Sequence, residues 1–325
     1  MKVLVTGASG FLGSGVVPAL LACGHEVRCL VRAQSDTDRI QGLDWERVEG
    51  DILDPGSLDS AMSGCQGVIH LAGTSDWMEI GRESTWASIV DGTRFTLEAA
   101  RRAGCERFVF VSTISSINGS DVPVLMTEET ECTLPLEQPA FLYVKAKRAA
   151  EVLCREVAQE GFDVVIANPP ETYGPNDTDL ITARNLINLY QSKPVLVTRG
   201  GALVGYIDDV ARGIVAALEK GRSGERYVLG GENCHIPVLA STMFDILGEN
   251  RRIIRLPNWL VRFITFLGAR LRLPLPYNPL IIPYATRFWH FDPQKARTEL
   301  GVEFRGLRES LIPTLQWLRE SRRIG

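Results

Sequence analysis

The sequence predicts an α/β protein, built as a doubly wound parallel sheet with a smaller C-terminal lobe. Strand-like and helix-like segments alternate through the first part of the chain, up to about Pro170. Beyond Pro170 the segments become shorter and prolines denser. The length of 325 residues suits one large α/β unit or roughly two domains. Regular alternation places parallel strands in one sheet, with helices covering both faces.

Apolar, β-branched segments predict the strands, and longer segments with helical spacing of apolar residues separate most of them. The predicted strands are Lys2–Thr6, Glu26–Val31, Glu46–Gly50, Gly67–Leu71, Arg107–Val111 and Asp163–Ala167. The predicted helices are Phe11–Cys23, Glu83–Ala103, Leu142–Glu160 and Asp208–Lys220. We expect residues 1–169 to form one domain, with 208–220 packing back on it, and residues 170–325 to form mainly a second lobe.

Composition and charge exclude several classes of protein. Apolar residues make up 45% and charged residues 23%, which argues against a disordered or fibrous chain. The net charge of −4 gives no general attraction to nucleic acid, so we expect no nucleic-acid partner. The first residues lack the pattern of a signal peptide, and no apolar run approaches the roughly 20 residues of a membrane span. The seven cysteines contain no CxxC pair, which indicates reduced thiols and no metal site. We therefore expect a cytoplasmic protein.

Glycines follow the first predicted strand and precede the first predicted helix. Gly7, Gly10 and Gly13 form a GxxGxxG pattern within Thr6–Gly13. Glycine lets backbone approach a ligand closely, and the N-terminus of the following helix favours a pyrophosphate. At the first βα turn, this pattern predicts a Rossmann-type dinucleotide-binding domain in residues 1–169.

The second strand ends at Arg32, where an acidic residue would bind the adenosine ribose of NAD. Arg32, with Ser35 close behind, favours NADP(H) over NAD(H); the alternative is a surface charge. Asp51 and Ile52 are candidates for the adenine pocket, and small residues follow the fourth strand. The predicted cofactor-binding residues of this half are Gly7, Ser9, Gly10, Phe11, Leu12, Gly13, Arg32, Asp51, Ile52, Leu71, Ala72 and Gly73.

Tyr143 and Lys147 are four residues apart at the start of a predicted helix, so both project from one face. A neighbouring ammonium lowers the pKa of a phenol from its usual value of about 10. Tyr143 could then exchange a proton with a carbonyl or alcohol oxygen. A hydroxyl of Ser112–Ser116 could polarise the same oxygen, but spacing alone does not choose among them. A surface helix and a hydrogen-bonded turn are the alternatives.

Several of these motifs together resemble the extended short-chain dehydrogenase/reductase superfamily (the NAD-dependent epimerase/dehydratase group). The resemblance is greatest to dihydroflavonol-reductase-like and hopanoid-associated sugar-epimerase-like proteins. The segments that carry it are Thr6–Gly13, Leu30–Arg32, Gly50–Ile52, His70–Gly73, Gly92–Thr93, Tyr143–Lys147, Tyr173–Pro175, Ile207–Ala211 and Phe291–Gly301.

The resemblance implies a catalytic set of Thr113, Tyr143 and Lys147. Tyr143 would be the acid/base, and Lys147 would hold the nicotinamide ribose and lower the pKa of the tyrosine. Thr113 would replace a family serine and keep its hydroxyl. Pro169 would lie beside the nicotinamide, and Tyr143 and Lys147 would also contact the cofactor. A homodimer is expected from the resemblance alone.

The resemblance also identifies weaker candidates for substrate contact and one departure from the family pattern. The candidates are Trp77, Glu171 and Tyr173; aromatic packing and a solvated loop charge are the alternatives. Ile89 stands where the family usually has an asparagine. Because isoleucine makes no side-chain hydrogen bonds, the active-site backbone must be supported in another way.

Four functions compete. A reductase or dehydrogenase would pass a hydride between nicotinamide and a carbonyl or alcohol carbon. A sugar epimerase or dehydratase would recycle a bound NAD, but Gly200–Tyr206 lacks the arginine and aspartate found in many nucleotide-sugar enzymes. A non-catalytic nucleotide sensor would typically lack the Tyr143–Lys147 pair. No feature favours a purely structural subunit. We therefore favour the NADP(H)-dependent reductase.

Charge is segregated in the C-terminal lobe. Between Asn250 and Phe291 the chain has seven arginines and no acidic residue. Within it, Pro257–Arg272 has aromatic and aliphatic residues at helical spacing. Because this lobe shapes the substrate pocket in the superfamily, we expect a small-molecule, lipophilic substrate with an anionic group. Contact with a membrane surface and a core-packed helix with solvated arginines are the alternatives.

Overall fold

The computed structural model describes residues 1–74, 82–271, 273 and 278–325. Its strands are β1 (Lys2–Thr6), β2 (Glu26–Val31), β3 (Glu46–Glu49), β4 (Gly67–His70), β5 (Arg107–Val111), β6 (Asp163–Asn168), β7 (Glu171–Tyr173), β8 (Val195–Val197), β9 (Gly201–Tyr206), β10 (Arg226–Val228), β11 (Glu232–His235), β12 (Ile253–Arg255) and β13 (Phe288–Trp289). Its α-helices are α1 (Phe11–Ala22), α2 (Pro55–Met62), α3 (Glu83–Trp86), α4 (Gly92–Arg102), α5 (Leu142–Gln159), α6 (Ala183–Gln191), α7 (Ile207–Lys220), α8 (Ile236–Leu247), α9 (Asn258–Arg270), α10 (Ile282–Ala285) and α11 (Leu307–Glu320).

A seven-stranded sheet forms the centre of the described chain, in the order β10-β6-β5-β4-β1-β2-β3. All of its neighbouring strands are parallel. The chain runs outward from β1 to β3, returns to the centre, and then runs outward in the other direction from β4. The strand order therefore reverses between β1 and β4, where open α/β sheets bind their ligands. The predicted doubly wound, Rossmann-type class is confirmed.

The strands alternate between two apolar layers, because successive side chains point to opposite faces of a sheet. In β5, for example, Val109 and Val111 belong to one core cluster and Phe108 and Phe110 to the other. The first layer lies under α1 and α7, which pack against each other, and the second lies under α2, α4 and α5. Apolar residues on both faces account for the near-continuous hydrophobic runs that predicted these strands.

One predicted helix, Glu83–Ala103, is interrupted in the structure. A turn of π-helix at Ala87–Asp91 separates α3 from α4. The wider turn is stabilised by the Thr93 hydroxyl, which donates to the Ile89 carbonyl at 2.5 Å. Single π-turns occur frequently beside functional sites, and this one lies next to Gly73 at the end of the fourth strand's loop.

The C-terminal half contributes a second, smaller sheet. In this sheet β9 pairs with β7, β11 and β13, and a separate pair is formed by β8 and β12. Helices α6, α8 and α11 cover a third apolar cluster. Strand β10 returns to the large sheet beside β6. No helix among the described residues is long and apolar enough to cross a membrane.

Candidate cofactor and active site

A cavity of about 490 Å³ opens where β1, β4 and β5 end. It contains the residues that the sequence predicted for cofactor binding. These are Gly7, Ser9, Gly10, Phe11, Leu12, Gly13, Arg32, Asp51, Ile52, Leu71, Ala72, Gly73, Tyr143, Lys147 and Pro169. The fold thus brings together segments that are up to 160 residues apart in sequence. Their contacts with a cofactor stay predictions.

The glycine loop has the geometry of a backbone cradle. Gly7 has a φ of +73°, and a β-carbon there would lie 2.7 Å from the Ala72 nitrogen. A β-carbon at Gly13 would lie 2.3 Å from the Ala8 carbonyl oxygen. Gly10 is the N-cap residue of α1 and offers no side-chain cap, so backbone N–H groups of the first turn are left for a ligand. This loop fits the pyrophosphate of a dinucleotide.

Arg32 lies at the cavity rim with an exposed side chain. Its backbone N–H donates to the Ser35 hydroxyl at 3.2 Å, and Ser35 lines the same cavity. The guanidinium forms no ion pair with a residue that the structure describes. It is therefore free to meet an anion at this end of the cavity.

Arg39 supports this end of the site, and the sequence analysis did not find it. Its guanidinium donates to the Ser9 carbonyl at 2.8 Å, to the Asn176 carbonyl at 3.1 Å and to Asp179 at 2.8 Å. Asp179 lines the cavity. Through Arg39, these bonds join the glycine loop at Ser9 to Asn176 and Asp179, which lie far later in the chain. No local pattern predicts such a distant contact.

Thr113, Tyr143 and Lys147 meet at the other end of the cavity. Tyr143 and Lys147 project from the first turns of α5, and Thr113 precedes a short 3₁₀ turn at Ile114–Ser116. The Ser116 hydroxyl donates to the Glu151 carboxylate at 2.5 Å, and the Ser112 hydroxyl donates to Ser116 at 3.2 Å. Among the four hydroxyl residues that the sequence left open, Thr113 and Ser112 line the cavity.

Burial sets the protonation of the site. It raises the pKa of the Tyr143 phenol above its usual value and lowers the pKa of Lys147 to about 8. From the sequence we expected the lysine to lower the pKa of the tyrosine. In the structure desolvation dominates instead, because Lys147 is buried and Tyr143 is partly buried among apolar side chains. The Lys147 ammonium donates to the Val111 carbonyl at 2.8 Å and lies over the Phe110 ring.

A buried polar network supports the backbone of Thr113. The Asn168 amide donates to the Thr113 carbonyl at 2.9 Å and to the Glu151 carboxylate at 2.9 Å. Glu151 also pairs with Arg226. Burial raises the pKa of Glu151, but Arg226 and the neighbouring hydroxyls outweigh it, so the pKa is lowered and the carboxylate is ionised. Glu151 is eight residues after Tyr143 on α5, so helical spacing could have identified it.

Ile89 makes apolar contacts in place of the hydrogen bonds of the family asparagine. It is buried in the cluster beneath α4 and α5, and it lies beside Gly73. The Asn168 amide donates to the Thr113 carbonyl, and the Glu151 carboxylate fixes that amide by accepting from it as well. The departure at Ile89 therefore leaves the backbone at Thr113 supported.

Two candidate substrate residues, Glu171 and Tyr173, lie outside the cavity lining that contains the predicted cofactor-binding residues. The Tyr173 hydroxyl is buried and donates to Glu171 at 2.5 Å, and the Asn185 amide donates to the same carboxylate oxygen. Among the described residues, Thr172 lines the cavity but Glu171 and Tyr173 do not. Alternation along β7 explains this difference. Trp77 lies outside the described residues, and the substrate contacts stay predictions.

A parallel α/β sheet, a glycine cradle at its switch point and a Tyr–Lys pair on one helix face define a dinucleotide-dependent enzyme class. The model of the NAD dependent epimerase/dehydratase family matches residues 3–230. The chain belongs to this family, and the resemblance found in the sequence is confirmed.

Three proteins illustrate the similarity. A putative dihydroflavonol 4-reductase of Synechocystis sp. is 31% identical, over 97% of this chain and 94% of its own. Sterol demethylase protein B of Methylococcus capsulatus is 30% identical, over 98% and 99%. The crystal structure of gox2253 has a TM-score of 0.87 and 29% identity, over 100% and 99%. Family and relatives support an NAD(P)-dependent oxidoreductase activity, as a reductase or an epimerase.

Proposed function

We propose that the chain is an NADP(H)-dependent reductase that transfers a hydride between nicotinamide and a carbonyl or alcohol carbon. One observation carries this proposal: a single cavity contains the glycine cradle and Arg32 at one end and Thr113, Tyr143 and Lys147 at the other. The reductase name of the Synechocystis relative supports the same reaction.

The preference for NADP(H) rests on Arg32. An exposed guanidinium without a described ion pair suits the 2′-phosphate, which prefers planar, charge-assisted hydrogen bonds. Arg39 already donates to Ser9, Asn176 and Asp179, so its guanidinium is less available to bind the 2′-phosphate. An acidic side chain at position 32 would repel the phosphate and favour NAD instead.

The three polar side chains have distinct tasks in the proposed reaction. The nicotinamide cofactor supplies the hydride when it is bound. The partly buried Tyr143, with its raised pKa, is protonated at neutral pH, which is the state needed to donate a proton to the oxygen of a carbonyl under reduction. The Thr113 hydroxyl would hydrogen-bond that oxygen and stabilise its developing charge. The Lys147 ammonium would hold the nicotinamide ribose.

We propose a hydrophobic carbonyl compound with an anionic group as the substrate. The name of the Methylococcus relative points to a sterol, and the arginine-rich, acid-free 250–291 segment motivates the anionic group. None of the described residues of this segment lines the cavity itself. This segment packs onto the start of α5, where the Tyr284 hydroxyl donates to the Ala140 carbonyl at 2.9 Å. We also propose a homodimer, from the resemblance to the family.

A competitive titration with NADPH and NADH tests the proposal. We expect tight, exchangeable NADPH, and we expect Arg32→Ala to weaken NADPH by about ten- to hundredfold while leaving NADH unchanged. Arg47→Ala, which removes an exposed arginine paired with Glu49, is the matched control. Tightly retained NAD with no effect of Arg32→Ala would contradict the proposal and favour the epimerase with a recycled cofactor.

A further inference from the structure

Helix α9 presents an apolar face to solvent. Trp259 is 69% exposed and Phe266 is 65% exposed, and Phe263, Ile264 and Leu267 are exposed as well. At 3.6 residues per turn these side chains and the exposed Leu271 form one stripe about 160° wide. Val261 and Gly268 are the buried residues of the helix. The helix therefore buries only Val261 and Gly268 and turns its large apolar side chains outward.

Unpaired cations lie at both ends of this stripe. Arg270 ends the helix within the exposed face, and Arg255 is exposed three residues before the helix begins. At the same end the Arg199 backbone N–H donates to the Asn258 side chain at 2.8 Å, and the Arg199 side chain is exposed. These three arginines form no ion pair with the residues that the structure describes.

Acidic residues are absent from positions 250–291. Among the residues that the structure describes, Asp121 pairs with Arg262 of the helix and lies 3.8 Å from Arg287. A second copy of this face would set arginines against arginines, because a two-fold contact brings the same patch together. An apolar stripe flanked by cations is complementary to a surface that combines an apolar layer with negative charges, as anionic lipids do.

We propose that the exposed face of α9 docks on the surface of a membrane that contains anionic phospholipids. Trp259, Phe263, Phe266 and Leu267 enter the boundary between head groups and acyl chains, and Arg255 and Arg270 meet lipid phosphates. The helix lies in the plane of the interface and does not cross the bilayer. This interaction is independent of the reaction that the enzyme performs.

Flotation of the purified full chain with vesicles tests the proposal. We expect binding to mixed phosphatidylcholine–phosphatidylglycerol vesicles that weakens as salt rises. Phe263→Ser with Phe266→Ser should weaken this binding by about a hundredfold. Arg255→Gln with Arg270→Gln should weaken it by about thirtyfold and leave the weaker binding to pure phosphatidylcholine unchanged.

The matched control is Val238→Ser with Ile312→Ser, which removes exposed apolar side chains from α8 and α11; it should bind vesicles like the wild type. Trp259 should shift its emission to the blue on binding, a change lost in Trp259→Phe. Circular dichroism and NADPH titration check that each variant is folded.

Three results would overturn the proposal. One is a wild type that does not float with anionic vesicles, and another is a Phe263→Ser/Phe266→Ser variant that floats as well as the wild type. The third is a wild type that forms dimers and binds no vesicles, while the Phe263→Ser/Phe266→Ser variant is a monomer. A second copy of the chain would then cover the exposed face of α9. The NADPH titration tests the proposed function independently of vesicle binding, so that failure of one proposal is distinguishable from failure of the other.

Discussion

Tyr143, Lys147 and Glu151 stand at successive turns on one face of α5 and have three different environments. The phenol faces the cavity, the ammonium spans from the cavity to the Val111 carbonyl, and the carboxylate is enclosed by Asn168, Ser116 and Arg226. Desolvation favours the neutral forms of the first two groups, and Arg226 keeps the third ionised. A single helix face thus combines the proposed acid, the proposed ribose-binding cation and the support for Thr113.

Tyr143→Phe removes the proposed acid and keeps the ring. We expect turnover to fall by about 10²–10⁴-fold, with NADPH affinity nearly unchanged, measured by steady-state kinetics and fluorescence titration. Tyr190→Phe, outside the cavity lining, is the control and should keep full turnover. If Tyr143→Phe retained wild-type turnover, another group would have to supply the proton.

Lys147 should make stability depend on pH. Its pKa falls from the usual 10.5 to about 8 in the folded chain, so between these values the unfolded state binds more protons and stability rises with pH. The loss of stability from burying the Lys147 ammonium is fully present below pH 8 and amounts to at most about 3 kcal/mol.

Chemical denaturation without cofactor at pH 8 and pH 9.5 measures this effect. We expect the free energy of unfolding to rise by up to about 2 kcal/mol more in the wild type than in Lys147→Met. Lys145→Met is the control, because Lys145 is partly exposed and pairs with Glu137 at the surface; it should follow the wild type. Equal changes in wild type and Lys147→Met would show that Lys147 is not desolvated.

Between strand β1 and helix α1, the glycine loop depends on close backbone contacts. The Gly10 N–H donates to the Gly7 carbonyl at 3.1 Å, and Gly10 accepts from the Ser14 N–H at 3.0 Å. At Gly7 two requirements coincide, a left-handed φ and the lack of room for a β-carbon beside Ala72. Glycine is therefore required at position 7 for two reasons, the backbone conformation and the close approach of Ala72.

A pair of alanine substitutions separates these requirements. Gly24 has a φ of +78° with nothing near its missing β-carbon, so Gly24→Ala should cost only the strain of about 1–2 kcal/mol. Gly7→Ala should destabilise the chain further and weaken NADPH by at least about tenfold, because Ala72 must move. Thermal unfolding and NADPH titration measure both. Equal stability and unchanged affinity in the two variants would contradict this account of the cradle.

The two halves of the molecule are joined by buried polar contacts as well as by apolar packing. Asp209 on α7 is buried, accepts from the Arg305 backbone N–H at 2.8 Å and pairs with Arg212 and Arg305. Arg226 extends from β10 to Glu151 on α5. Because unpaired buried charges are costly, the Arg305–Asp209 contacts fix the segment around Arg305 against α7, and the Arg226–Glu151 pair fixes β10 against α5.

Apart from the largely exposed edge strand β3, the predicted strands are apolar on both faces and bounded by turns, which is why they were predicted accurately. β1, β2 and β5 have the predicted limits, and β6 is one residue longer. The helix predicted over Glu83–Ala103 contains a π-turn, since the position of that turn depends on contacts with Gly73 and His70. Local periodicity cannot contain information about partners that are distant in sequence.

The sequence by itself determined the fold class, the glycine cradle, the Tyr143–Lys147 face and the family. All of these depend on short-range order: alternation, glycine spacing and helical spacing. Only the tertiary structure decided that Arg39 donates to the Ser9 carbonyl and that Asn168, fixed by Glu151, donates to the Thr113 carbonyl. It also decided that Glu171 and Tyr173 lie outside the cavity lining and that α9 turns its apolar face outward. The physical reason is that burial and hydrogen-bond partners are properties of packed neighbours, and those neighbours come from elsewhere in the chain.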